Sequence, residues 1–347
     1  MTTSYIVGAG ASKAVWRFPV LGGLLADKRA DIANSRRLHS YVSERFGDDL
    51  GIVNLEDVLA DLDNTLYGLG NTWFGATSHP IHRSALDRKS DLMKVLVRVF
   101  ALSSSGDHSR QIADYASVFG DRVSDGRVIT LNYDLGIEEY LKNKGQYYES
   151  SEQNNENVLN AHLGGGLVSL ENGLQNCSVN ETLLKLHGSL NYWACCNPSC
   201  RNRHHIWRGR CGKYCCSTCG ADTERIIVPP SMNKTFDRYP SLALAWRLAQ
   251  ESLRASERIV VWGYSCPPTD HHFAWVLRSC GAGWRLDDEV IREVIVINPE
   301  KRVKRRLEAL LDPNVELRKR GSLLFRQFDD HTEFAKAQRR PAQARVN

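Results

Sequence analysis

Seven of the ten cysteines lie between Cys195 and Cys219, in the runs CCNPSC (195–200) and CCSTC (215–219) with Cys211 between them. Clustered thiols in a chain whose pattern shows no secretion signal read as metal ligands, not as a disulfide framework. A zinc held by four soft ligands would be structural, because protein fills all four positions. Cys216 and Cys219, spaced C-x2-C, make the second ligand pair; Cys195, Cys211 and Cys215 stand as alternatives within the set, and His204 or His205 could substitute. A second group of chemically useful residues is scattered. Ser12, Asn132, Asp134, His187, Ser265 and Asn298 each follow an apolar run. An amide both donates and accepts, an imidazole titrates near neutrality, and hydroxyls bind phosphates and sugars. One polar strand end carries no message, but several together suggest a single crevice lined for a polar ligand.

Such a crevice needs a sheet. Residues 4–12 (SYIVGAGAS) read as a strand running into a phosphate-type turn, with Lys13 where a dinucleotide fingerprint would have its third glycine. GRVITLNYD (126–134), TLLKLHGSLNYW (182–193), ERIIVPP (224–230), RIVVWGYS (258–265) and EVIVINP (293–299) read as further strands or strand–turn units. Residues 20 to about 120 are helical in pattern: NLEDVLADLDNTLYGL repeats Leu55, Val58, Leu59, Leu62 and Leu66 at helical spacing. The stretch 145–180, rich in Asn, Glu, Ser and Gly, reads as loop. Alternating strands and helices predict an α/β fold with a doubly wound parallel sheet, an inserted helical block and a small zinc-ribbon module. The expected division is a nucleotide-binding domain over 1–19, 121–190 and 226–330, the helical insertion over 20–120, the zinc module over 191–225 and a basic tail over 331–347. In sheets of this kind ligands bind outside the carboxyl ends of the strands.

The composition, 347 residues with 42% hydrophobic and 24% charged, is that of a globular chain. No apolar run is long enough to span a membrane, and the expected location is the cytoplasm. The net charge of +5 is concentrated at one end, since residues 301–347 hold thirteen Lys/Arg against six Asp/Glu. Between the cysteine pairs, Arg201, Arg203, Arg208, Arg210 and Lys213 form a basic tongue without an acid. Both features leave open contact with nucleic acid or with an acidic partner.

Taken in order, GAGAS, TLNYD, KLHGS, the cysteine pairs, GYS and INP resemble the sirtuin-like family from about residue 4 to 300. The resemblance implies a Rossmann-like fold that takes NAD as substrate. Gly8, Ala9, Gly10 and Ser12 would then hold the pyrophosphate through backbone N–H groups, and Gly263, Ser265 and Asn298 would bind phosphate and adenosine ribose. Asn132 would position water and ribose, His187 would accept a proton from a ribose hydroxyl or the water, and Asp134 would orient its neighbours or line the nicotinamide pocket. Alignment on NYWxxC points to Cys196 and Cys200 as the first zinc pair, with Cys216 and Cys219 as the second. Read without the family, Asn132 is a strand-end turn residue, His187 a core histidine, and Asp270 a cap for the helix that follows it; the cap is the preferred reading for Asp270, and His271 and His272 have no assigned task. The sequence departs from protein deacylases. KAVWRFPVLGGLL follows the first turn, and Pro229 and Pro230 stand where an added peptide strand would pair. The pattern is closer to bacterial sirtuin-like NAD hydrolases of antiphage defence. That branch implies an assembly larger than a dimer and a HerA-type ATPase partner. NAD-dependent deacylation and non-catalytic NAD or ADP-ribose sensing are the competing readings.

Overall fold

The computed structural model describes residues 2–20, 22–67, 80–102, 106–120, 123, 127–146, 183–197, 199–200, 207–208, 215–216, 218–228, 239–280, 291–312 and 323–339. Most of the expected loop at 145–180, Pro229 and Pro230, nearly all of the basic tongue and residues 340–347 lie outside them.

Six strands form one parallel sheet: β1 (Thr3–Val7), β2 (Val128–Thr130), β3 (Leu183–Lys185), β7 (Arg258–Trp262), β8 (Glu293–Ile297) and β9 (Leu324–Phe328). Their order is β3-β2-β1-β7-β8-β9. Numbered within this sheet alone, that is 3-2-1-4-5-6, and the order reverses between β1 and β7. β2, β3, β7 and β8 are buried almost throughout, without alternation, because both faces of the sheet are covered. Ile6, Ile129, Leu184, Val261 and Val296 point to one side, into helices α7 (Pro240–Arg254), α8 (His271–Cys280) and α9 (Lys301–Leu311). Their strand neighbours Val7, Val128, Leu183, Trp262 and Ile297 point to the other. There they meet α1 (Ala9–Trp16), α5 (Ser109–Phe119), α6 (Gly136–Asn143) and α10 (His331–Arg339).

The helices α2 (Arg36–Phe46), α3 (Leu55–Tyr67) and α4 (Pro80–Val99) close on a core of their own. Leu38 and Val42, then Leu55, Val58, Leu59 and Leu62, then Leu92, Val95 and Leu96 recur at helical spacing and are buried. Each such leucine contributes about 1.5–3 kcal/mol through burial. Tyr133, Leu190 and Ile227 reach into this cluster from the sheet regions and tie the block to them. Helix α5, within the stretch read as one insertion, packs on the parallel sheet with α6 and α10. Residues 331–339, read as the start of a basic tail, form α10, with His331 and Phe334 buried.

β4 (Gly188–Cys195), β5 (Trp207–Arg208) and β6 (Thr223–Ile227) make a separate antiparallel sheet in the order β5-β4-β6. ERIIV is thus a strand as expected, but it pairs with β4. β9 is the strand that the sequence pattern does not announce: LFRQF has a half-exposed leucine and otherwise intermediate burial, as an edge strand does.

Candidate functional site

At the reversal between β1 and β7 a cleft of 830 Å³ opens above the strand ends. Its floor is two turns pressed together. The Gly10 N–H donates to the Gly263 carbonyl at 2.9 Å, and the Gly8 N–H donates to Trp262 at 2.9 Å. Gly263 has φ +65°, and a Cβ there would lie 2.0 Å from the Ala11 nitrogen. The glycines of GAGAS and GYS are thus explained by mutual backbone approach. The approach also consumes two of the N–H groups expected to meet a phosphate. The Ala9 N–H at the start of α1 has no acceptor among the described residues, and a helix start favours an anion. Lys13 lines the same cleft and is its one Lys or Arg among the described residues. The position that lacks the third glycine therefore supplies a cation beside the turn.

Asn132 follows β2 and lines the cleft, with its backbone N–H bound to the Thr130 hydroxyl at 3.1 Å. Behind it runs a buried chain of bonds. The Ser12 hydroxyl donates to Asp134 Oδ2 at 2.8 Å, so its oxygen must accept, and Asn132 Nδ2 donates to it at 2.9 Å. This fixes the amide orientation and leaves Asn132 Oδ1 as an acceptor. Asp134 Oδ1 accepts the Gly136 N–H at 2.9 Å at the start of α6. Lys185 donates to the Asp134 carbonyl and pairs with Glu138 at 2.7 Å, with both side chains buried. Burial raises the Glu138 pKa, and the Lys185 charge opposes the rise. Neither Ser12 nor Asp134 is part of the cleft wall. They act on Asn132 from behind.

His187 sits in the turn between β3 and β4 and also lines the cleft. Its ring stacks on Trp246, centroids 5.8 Å apart, and the Trp246 indole N–H donates to the Leu186 carbonyl at 2.8 Å. The next residue must be glycine: Gly188 has φ +79°, and a Cβ would lie 2.1 Å from the Ile226 carbonyl oxygen. Gly8, Ala9, Gly10, Gly263, Ser265 and Asn298 line the cleft as well. The Asn298 side chain is partly committed, since its Oδ1 accepts the Glu300 N–H at 2.9 Å. Asp270 caps α8 as expected, accepting the Phe273 N–H at 3.4 Å, and it accepts the Tyr264 hydroxyl at 3.2 Å while lining the cleft.

The sequence reading did not assign Asn54, Glu56, Glu300, Asp329, Asp330 or His331 to the cleft, and all line it. His331 packs against Trp262 with centroids 5.4 Å apart and the rings tilted by 41°, and its Nδ1 is buried without a partner among the described residues. No local motif marks these residues. The fold brings them in from the helical block and from the ends of β8 and β9.

The cysteine module gathers four thiols, those of Cys195, Cys200, Cys216 and Cys219, within 4.8 Å of one another. Cys195 Sγ is 3.5 Å from Cys219, and Cys200 Sγ is 3.6 Å from Cys216. A tetrahedral zinc with Zn–S near 2.3 Å sets sulfurs about 3.8 Å apart, so the donor set fits. Cys195 takes the place expected of Cys196, which is exposed and outside the cluster. Cys195 is the buried last residue of β4, whereas Cys196 lies just past the strand and is exposed. The Ala221 N–H lowers the Cys219 thiol to about 7, whereas burial raises the Cys195 thiol.

No family model matches the chain, and no curated protein matches it. Among solved structures the chain is similar to a Sir2 homologue in complex with NAD, at 14% identity and TM-score 0.38, covering 92% of this chain and 90% of that one. It is similar to a mutant Sir2 homologue in complex with ADP-ribose, at 15% identity and TM-score 0.37, with 92% of each chain covered. It is also similar to Sir2Tm bound to a propionylated peptide, at 14% identity and TM-score 0.33, covering 97% and 91%. Likeness of this degree carries no argument about ligand or activity.

Proposed function

We propose that the chain is a sirtuin-like NAD hydrolase that cleaves the nicotinamide–ribose bond, giving nicotinamide and ADP-ribose. The observation that carries this reading is the shared cleft: Asn132 and His187, from two strand ends, face the space bounded by the Gly8–Gly10 turn and Lys13. A helix start and one cation suit a pyrophosphate. A fixed amide acceptor and an imidazole suit a ribose and a water. Cleavage of the glycosidic bond passes through an oxocarbenium-like state. The cationic nicotinamide nitrogen leaves readily, taking the bonding electron pair and becoming neutral. Asn132 Oδ1 would accept from a ribose hydroxyl or the water, and His187 would take a proton from one of them. Zinc would be held by Cys195, Cys200, Cys216 and Cys219 and would cross-link the module that carries β4 and β6.

The ordered motifs support placing the activity in the antiphage-defence branch, in the cytoplasm, as a homo-oligomer larger than a dimer that acts with a HerA-type ATPase. The test is nicotinamide release from NAD by the purified chain, alone and with the product of its neighbouring gene. Release without any acylated peptide supports hydrolysis. Release only with an acylated peptide replaces it by deacylation. Tight NAD binding without turnover replaces it by sensing.

A further inference from the structure

The helical block contributes chemistry to the cleft as well as bulk. Gly22 bridges to Asn54, and the Asn54 side-chain oxygen accepts the Glu56 N–H at 3.1 Å at the start of α3. Asn54 and Glu56 are thereby presented to the cleft from a wall with its own helical core. Five carboxyl-bearing residues line the cleft among those described: Glu56, Asp270, Glu300, Asp329 and Asp330. Glu300, Asp329 and Asp330 follow β8 and β9, on the far side of β7 from Asn132 and His187. Asp270 is occupied in capping α8 and in holding Tyr264.

Glu56 belongs to the Asn132 end: Leu55, which precedes it, and Tyr133, which follows Asn132, are buried in one core. After burial, the Glu56 charge is the largest influence raising the Tyr133 hydroxyl, ahead of Asp270 and Asp63, and it also acts on Tyr264. Tyr133 follows Asn132 in the chain, and its ring centroid is 6.4 Å from that of His187. The Tyr133 hydroxyl is buried with no hydrogen-bond partner among the described residues. Glu56 thus lines the cleft together with the amide and the imidazole, from the wall whose core Tyr133 enters.

We infer that Glu56 is a further catalytic residue, the carboxylate that takes the proton of the attacking water; this rests on the hydrolytic reading above. The water oxygen bonds to C1′ as the C1′–nitrogen bond breaks, and the electron pair of that bond leaves with nicotinamide. Glu56 receives the water proton and passes it to solvent, so that NAD and water become nicotinamide, ADP-ribose and a proton. His187 is then the partner of the ribose hydroxyl. A carboxylate at this place also stabilises the oxocarbenium-like charge electrostatically.

The test uses the full chain under conditions in which the unaltered protein releases nicotinamide. Glu56→Gln should lower kcat by about 10²–10⁴-fold, with the Kd for ADP-ribose, measured by calorimetry, changed less than about threefold. Glu56→Ala should regain about tenfold in kcat with added formate, a carboxylate small enough for the vacated space. A Glu56→Gln variant with an unchanged kcat overturns the inference and leaves the hydrolase reading standing. So does joint loss of turnover and ADP-ribose binding without formate rescue, which makes Glu56 a structural group. If the unaltered chain releases no nicotinamide with or without its partner, the hydrolase reading fails and takes this inference with it.

Discussion

Asn132 and His187 are the residues on which the proposed chemistry turns, and their variants should separate chemistry from folding. Asn132→Ala and His187→Ala should each lower nicotinamide release about 100-fold or more, with the thermal transition retained. For His187, unfolding with activity per folded molecule preserved would mark a core histidine instead. The chain Asn132–Ser12–Asp134 makes a finer prediction. In Asp134→Asn the new amide can donate to Ser12, so the hydroxyl can turn and the Asn132 amide loses its enforced orientation. One misplaced hydrogen bond is worth about 1–3 kcal/mol, so kcat should fall about 5–160-fold while ADP-ribose affinity holds; an equal loss in both would place Asp134 in binding. The thiols give the sharpest contrast. Cys195→Ser should release the metal, found by elemental analysis at about one zinc per chain in the parent, and Cys196→Ser should keep it. Much at this scale was legible: a polar residue ending an apolar strand can be read directly, as with Asn132 and His187. Cys195 and Cys196 could not be told apart, because the choice depends on where β4 ends and which of the two is buried. Glu56 was hidden because Asn132 and His187, with which it shares the cleft, are distant in sequence.

Elements differ in how much they disclose of themselves. β7 and β8 are announced by apolar runs that both layers of helices require, and α3 by its leucine spacing. β9 and α10 were missed because an edge strand buries little and LFRQF has no clear alternation. The assignment of β6 to a second sheet follows from the turn at His187–Gly188, where the chain leaves the parallel sheet. That turn should be intolerant. Gly188→Ala must adopt a positive φ and meet the Ile226 carbonyl, at a cost of about 2 kcal/mol or more; the calorimetric Tm should fall by about 4 °C or more. An unchanged Tm would mean the turn rearranges freely. The Lys185–Glu138 pair beneath Asp134 makes a prediction with a sign in pH. Lys185→Met leaves a carboxyl whose pKa burial already raises, now without its opposing cation. Between the ordinary carboxyl range and the raised value, the native state holds a proton that the unfolded chain has released, so stability falls as pH rises through that window. The variant should lose about 3–5 kcal/mol at neutral pH and recover part of it near about pH 5. A pH-independent deficit would assign the loss to packing.

At the scale of the molecule, the helical block both walls the cleft and faces outward. Ile52, Ile81 and Leu86, on or beside its helices, are 78%, 45% and 40% exposed. Exposed apolar side chains of this size suit an interface, and closed homo-oligomers are the common result. Light scattering at micromolar concentration should give a mass above that of a dimer, and Ile52→Glu with Leu86→Glu should reduce it. A monomer with full NAD turnover and no partner would defeat both the assembly and the need for an ATPase. No helix among the described residues is long and apolar enough to cross a membrane. The candidate site was legible as a cleft of strand-end residues, but its second wall was not, because only the folded chain brings Gly22, Asn54 and Glu56 to the same cleft as Leu131, Asn132 and His187.

The walls of the cleft also have an order in time. During synthesis β1 emerges first, and its hydrogen-bonded neighbour β7 follows only after some 250 residues, the Thr2 side chain bonding to Ala255 across 253 positions. Asp329, Asp330 and His331, which complete the rim, emerge later still. A growing chain therefore carries Asn132 and His187 long before it has a pocket to use them in. A chain with the NAD-consuming activity proposed above would therefore be harmless on the ribosome until β7 and the rim at Asp329–His331 had been made.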